Sequence, residues 1–132
     1  MSQIKDKYDK LNNAVARLEE SLTDYEQYRI DSIRDGIIQR FEFCAELAWK
    51  TLREYLLDQG YAHINSPKSV MRQAYEDGII NDDVAWVALM DARNLTSHTY
   101  DADTAEEIHQ AIKHRYVALL RDLIQALANY CS

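Results

Sequence analysis

Glycine and proline are nearly missing from this chain, with 3 and 1 among 132 residues. So few breakers exclude a turn-rich β-sandwich, a collagen-like repeat or a low-complexity tail, and they imply long elements with few connections. Cysteine is scarce as well: Cys44 and Cys131 are too few and too far apart for a disulfide scaffold. Both lie among apolar residues at helical spacing and read as buried free thiols, which suits a reducing compartment. The longest uninterrupted apolar run, VAWVALM (84–90), is too short to span a bilayer, and the opening MSQIKDKYDK has no apolar signal core. A cytoplasmic protein without a membrane partner is expected. No two of the 15 Lys and Arg are adjacent, and the formal net charge is −7. The average surface field therefore repels polyanions, so DNA is not expected as a partner and any nucleic acid would need a local basic pocket. A Gly-rich phosphate loop and a G-x-S-x-G elbow are both missing, so no cofactor is expected and any nucleotide chemistry must come from a partner.

What is present is helical periodicity. With 47% hydrophobic and 28% charged residues, the 132 residues suit one folded domain spanning 1–132. Ile4, Tyr8, Leu11, Val15, Leu18, Leu22 and Tyr25 recur in steps of three and four and predict a first helix with one apolar seam. Ser32, with Asp35 three residues on, is the expected N-cap of a second helix that carries Ile37, Phe41, Cys44, Ala48, Leu52 and Tyr55 inward as far as Gly60. Ser66 and Pro67 read as N-cap and first residue of a short third helix ending near Gly78. Asn81, followed by Asp82 and Asp83, caps a fourth helix that is apolar nearly all round at its start and is therefore expected at the centre of the fold. A fifth helix starts at DTAEE, with Asp103 and Glu106 as a capping-box-like pair, and turns Ile108, Ile112, Tyr116, Leu119, Leu123 and Leu127 inward. The fold class is all-α, an antiparallel helical bundle of about five helices.

The stretch RNLTSHTYD (93–101) gathers groups able to do chemistry. On a continuous helix Arg93 and His98 would stand roughly 140° apart. Asn94, Thr96, Ser97 and Thr99 are weak helix formers, however, so the helix is expected to end near Thr96 or Ser97, which frees His98 to fold back toward Arg93. A guanidinium forks onto phosphate oxygens and an imidazole moves a proton near neutrality, a pairing suited to attack by an RNA 2′-hydroxyl without a metal. The spacing alone equally describes a solvated helix end. Asp91 or Asp101 could pair with Arg93 or orient His98, or stand as ordinary solvated carboxylates. Glu42 and Glu46 read as helix-surface charges with no catalytic role. His109 and His114, five apart within one helix, face different ways and do not form a metal site, His63 reads as a solvated loop residue, and Trp49 and Trp86 read as core.

QRFEFCAELAWKTLREYL (39–56), VMRQAYEDGII (70–80) and ARNLTSHTYD (92–101) together resemble the HepT-like family, the nucleotidyltransferase substrate-binding proteins of the HEPN superfamily. The likeness runs from about Asp31 to the C-terminus. The family motif, Arg followed by a polar residue and then His-x-Tyr, is filled by Arg93, Asn94, His98 and Tyr100. The resemblance implies a HEPN-like four-helix core plus a short helix, and a homodimer in which the motifs of two subunits form one metal-independent ribonuclease site. It makes Arg93, Asn94 and His98 catalytic residues acting on RNA, with the chain as the toxin of a toxin–antitoxin pair. It also implies a cognate minimal nucleotidyltransferase as antitoxin, which transfers AMP to Tyr100. An older reading of the family makes such a chain only the substrate-binding half of a two-chain nucleotidyltransferase.

Overall fold

The computed structural model describes residues 2–95 and 101–131, and no strand occurs among them. Helix α1 (Ser2–Tyr28) and helix α2 (Asp31–Asp58) form a long hairpin joined through Arg29 and Ile30. The joint is tight because Arg29 takes a left-handed backbone (φ 48°) and stacks its guanidinium 4.3 Å from the centre of the Tyr25 ring. The cap of α2 differs from expectation. Ile30, not Ser32, is the N-cap, and it makes no side-chain cap hydrogen bond. Ser32 lies within the first turn instead, where the hairpin joint rather than capping chemistry sets the start of the helix.

Helix α3 (Pro67–Asp77) begins as its sequence predicts. Ser66 and Ser69 form a reciprocal capping box, and Gly78 ends the helix at φ 93°. Helix α4 (Asp83–Leu95) is capped one residue later than expected: the Ala85 N–H donates to Asp82 Oδ1 at 2.9 Å, so Asp82 replaces Asn81. Helix α5 (Ala102–Ala111) is capped by Asp101, which accepts from the Asp103 N–H (3.2 Å) and from Thr104 Oγ1 (2.9 Å). The expected Asp103–Glu106 box does not form, because Glu106 is drawn to another set of donors described below. From α5 the chain keeps helical dihedrals through a π turn (Ile112–Tyr116) into helix α6 (Val117–Cys131), so these three pieces are one rod.

The buried residues form one cluster to which all of these helices contribute. Helix α2 is the central element: α1, α3, α4, α5 and α6 all pack against it. The apolar α4 was the expected centre, yet among its residues Trp86, Leu89, Met90 and Ala92 are buried and Val87 partly so, while Val84 is 75% exposed. Alanines at 85 and 88 widen the apolar arc of α4 without adding much area to bury. The π turn also shifts the last stripe. Steps of four run from Ile108 through Ile112, Tyr116 and Leu120 to Ile124, and each step overshoots a full α-helical turn by about 40°. One wider turn absorbs the drift, so Leu120 and Ile124 are buried and Leu119, expected inward, is only partly so.

Candidate functional site

Arg93 continues the inward stripe of α4. It follows Trp86, Leu89 and Met90 at helical spacing and stands one turn beyond the last large apolar contact, with its side chain 30% exposed. That register aims it across at α2. Its Nε donates to Glu46 Oε1 at 3.1 Å, and its Nη1 lies 3.8 Å from Glu42 Oε2. Glu42 and Glu46, plain surface charges by sequence, are thus partners of the key cation. Their spacing of four on the face of α2 that flanks Phe41 and Ala45 is the signal that sequence reasoning passed over. Glu46 does more: it also accepts from Trp49 Nε1 (3.3 Å) and lies 3.8 Å from Lys50 Nζ.

Asn94 is exposed at the mouth of a cleft of about 230 Å³, shared by Arg93, Glu46 and Met90 with Ser66 and Lys68 at the start of α3. Arg93 and Asn94 therefore open onto one cavity. His98 and Tyr100 lie outside the described residues, as does the expected end of the helix near Thr96 or Ser97. The neighbouring carboxylates take other roles. Asp91 is paired with Lys68 at 3.0 Å, and Asp101 caps α5.

A second polar cluster, unforeseen from sequence, lies where the α1–α2 joint meets α5. Glu106 accepts from Tyr25 Oη (3.1 Å) and Gln110 Nε2 (3.0 Å), lies 3.2 Å from His109 Nδ1, and faces Arg29 and Arg34 at 3.8 and 4.0 Å. The Gln110 hydrogen bond, aided by those from His109 and Tyr25, outweighs partial burial and holds the Glu106 carboxyl below its usual range. Burial, reinforced by Glu106, pushes the Tyr25 phenol up. His109 is wholly buried and His114 exposed, so the two do face different ways. Among the described residues no group of three His, Cys, Asp or Glu is placed to hold a metal ion. The thiols are buried as expected, and burial raises that of Cys44 to about 12. Trp86 is core, whereas Trp49 is only half-buried.

No helix among the described residues is long and apolar enough to cross a membrane. The sequence model of the family described as "Nucleotidyltransferase substrate binding protein like" matches residues 6–129. A Haemophilus influenzae protein named probable ribonuclease HepT is 37% identical over 89 residues, a match that spans 62% of this chain and 59% of the relative's length. A solved H. influenzae structure, described as having the fold of a substrate binding domain of a nucleotidyltransferase, superposes with a TM-score of 0.80 at 28% identity, covering 92% of this chain and 98% of that one. A Thermus thermophilus crystal structure gives 0.81 at 32% identity, covering 89% and 98%.

Proposed function

We propose, from the premise that this chain belongs to the nucleotidyltransferase substrate binding protein-like family, that it is a metal-independent RNA endonuclease and the toxin of a pair whose antitoxin is a minimal nucleotidyltransferase. The single observation that carries the reading is that Arg93 and Asn94, the first two residues of the motif, open onto one cleft with the guanidinium held by Glu42 and Glu46. A cation held in this way is preoriented. An incoming phosphate must compete with two carboxylates for it, which favours a tightly placed scissile group over loosely bound backbone. In the reaction His98 takes the proton of the RNA 2′-hydroxyl, the 2′-oxygen attacks the adjacent phosphorus, and the bond to the 5′-oxygen breaks with a proton returned to it. The ends are a 2′,3′-cyclic phosphate and a 5′-hydroxyl. Arg93 steadies the charge on the phosphorane and Asn94 positions it.

A homodimer doubles the cations at the reacting phosphate, which an acidic body needs. The face of α4 turned away from the core, with Val84 and Leu95 exposed, offers apolar area for such a contact. In the regulatory step the Tyr100 phenol oxygen attacks the α-phosphorus of ATP and pyrophosphate leaves. A phenol with an ordinary pKa near 10 needs a base or metal for this, and the nucleotidyltransferase supplies it. The added phosphate and adenosine then exclude RNA by charge and by volume.

Incubation of the purified protein with RNA in EDTA, beside a His98→Ala variant, tests the reading. The variant is expected to cleave at least about 100-fold more slowly, and the wild-type ends to be cyclic phosphates. Equal cleavage by both proteins, or none by wild type, overturns it. The second reading, a non-catalytic subunit that presents substrate to the nucleotidyltransferase, is favoured by the net charge of −7. With labelled ATP and the partner enzyme, label on Tyr100 supports the first reading and label on a third molecule the second.

A further inference from the structure

The sequence has no basic run, yet the fold builds a basic face. Lys7, Lys10, Arg17, Arg40, Arg53, Arg72 and Arg115 make no ion pair among the described residues, and the first five of these line the outer seam between α1 and α2. Lys7, Lys10 and Arg17 follow one another at helical spacing on α1. On α2, Lys50 and Arg53 stand one turn apart in the second groove, while Arg40 lies about 140° around the helix from Arg53 and borders the first.

Two grooves run along this seam. One, of about 470 Å³, is bordered by Lys10, Asn13, Arg17, Gln39, Arg40 and Phe43, and contains no carboxylate. Phe43 stands 58% exposed beside it. The other, of about 300 Å³, is bordered by Lys7, Trp49, Lys50, Arg53 and Asn65, with Glu54 as its one carboxylate. Arg53 is fixed there by donating from Nε to the Ile64 carbonyl at 3.0 Å. The second groove meets the Arg93 cleft through shared structure: Glu46, which lines the cleft, binds Arg93, Trp49 and Lys50 together.

We propose that this α1–α2 face is a track for single-stranded RNA that delivers the strand to the Arg93 cleft. The proposal rests on the ribonuclease reading above. From Arg40 to Arg53 the track follows about 20 Å of helix axis, the reach of a short oligonucleotide. Five of the six cations, Lys50 excepted, have no carboxylate partner among the described residues and fit phosphates, and the exposed Phe43 ring with the half-buried Trp49 fits unstacked bases, which a duplex keeps hidden. This resolves the conflict between an acidic protein and an RNA substrate. The two grooves are lined by six cations, Lys7, Lys10, Arg17, Arg40, Lys50 and Arg53, against the single carboxylate of Glu54.

Binding of a short fluorescein-labelled single-stranded RNA, followed by fluorescence anisotropy across a salt series in the cleavage-deficient His98→Ala background, tests the track. Adding Lys10→Glu with Arg17→Glu is expected to raise Kd at least tenfold and to flatten the slope of log K against log salt by about 0.7 for each phosphate no longer neutralised. Phe43→Ala is expected to raise Kd about tenfold with the slope unchanged. Arg72→Glu with Arg115→Glu, off the seam, makes the same change of net charge and controls for it. The track is overturned if the seam variants bind like their parent, if that control pair weakens binding as much, if duplex RNA binds as tightly as single strands, or if polyglutamate displaces the RNA as well as unlabelled RNA does. It is also overturned if light scattering shows that Phe43→Ala only splits a dimer. Cleavage by the same variants with His98 intact separates the two ideas. Salt-sensitive binding at the seam with no cleavage by wild type removes the ribonuclease reading alone, and cleavage with normal binding by the seam variants removes the track alone.

Discussion

Glu106 is where single side chains matter most. It is the common partner of Tyr25, His109 and Gln110 and, with Asp31 at 3.8 Å, one of two carboxylates beside Arg34, whose Nε, like His109 Nε2, has no hydrogen-bond partner of its own. Removing this carboxylate leaves the hydroxyl of buried Tyr25 and Nδ1 of buried His109 without their partner, which costs about 2 kcal/mol, short of a fully buried pair because Glu106 itself is partly exposed. Its carboxyl is depressed in the fold relative to the ordinary 4.5, so its contribution is present above that value and is lost as pH falls through the folded one. Urea unfolding of wild type and Glu106→Gln should therefore differ at pH 7 and converge as pH drops below about 4.5. A gap that persists at pH 3 would assign the effect to packing. Nothing in the sequence announced this cluster, because Glu106 sat at a plausible capping-box position and its actual donors come from 81 residues away in Tyr25 as well as from its own helix. Arg93 was legible as a residue of interest, but its partners Glu42 and Glu46 were not, since i,i+4 glutamates on a helix are usually solvated.

For whole elements, periodicity was a good guide wherever one face alone is buried. The stripe of α1 and the two ends of α3 are as their residues dictate, the latter because a capping box and a left-handed glycine leave little choice. Capping at α2, α4 and α5 was offset by one or two residues because several Asp, Asn and Ser compete within each junction, and tertiary packing selects among them. The place of α4 was misjudged for a related reason. Hydrophobicity all round a helix states what could be buried, and the neighbours decide what is: α2, with a less continuous apolar run, is touched by every other helix.

Taken as a whole, the molecule keeps its reactive sulfur out of reach. The Cys44 thiol, raised to about 12 by burial, carries almost no thiolate at neutral pH, and Cys131 is buried and raised for the same reason. A thiol reagent such as DTNB at pH 8 should modify native protein at the rate of global unfolding and modify both sulfurs at once in guanidinium. Rapid labelling of Cys44 in native protein would show that α2 opens locally. Charge is also a property of the assembled molecule. The bulk value of −7 argues against a nucleic-acid partner, and the seam between α1 and α2, where six lining cations face the one carboxylate of Glu54, exists only after residues 7 to 17 and 40 to 53 are brought side by side. A last consequence concerns the π turn at Ile112–Tyr116, which amounts to one supernumerary residue carried inside a helix. Excising a residue from a helix ordinarily rotates everything downstream by about 100° and empties the core, but here the spare residue can be surrendered. Deletion of His114 should return the rod to plain α-helix with Leu120, Leu123 and Leu127 still inward and the melting temperature changed by only a few degrees, whereas deletion of Gln125, in the regular part of α6, should turn Leu127 and Cys131 out of the core and lower the melting temperature by clearly more. The π turn thus makes the end of this helix tolerant of a codon-sized loss.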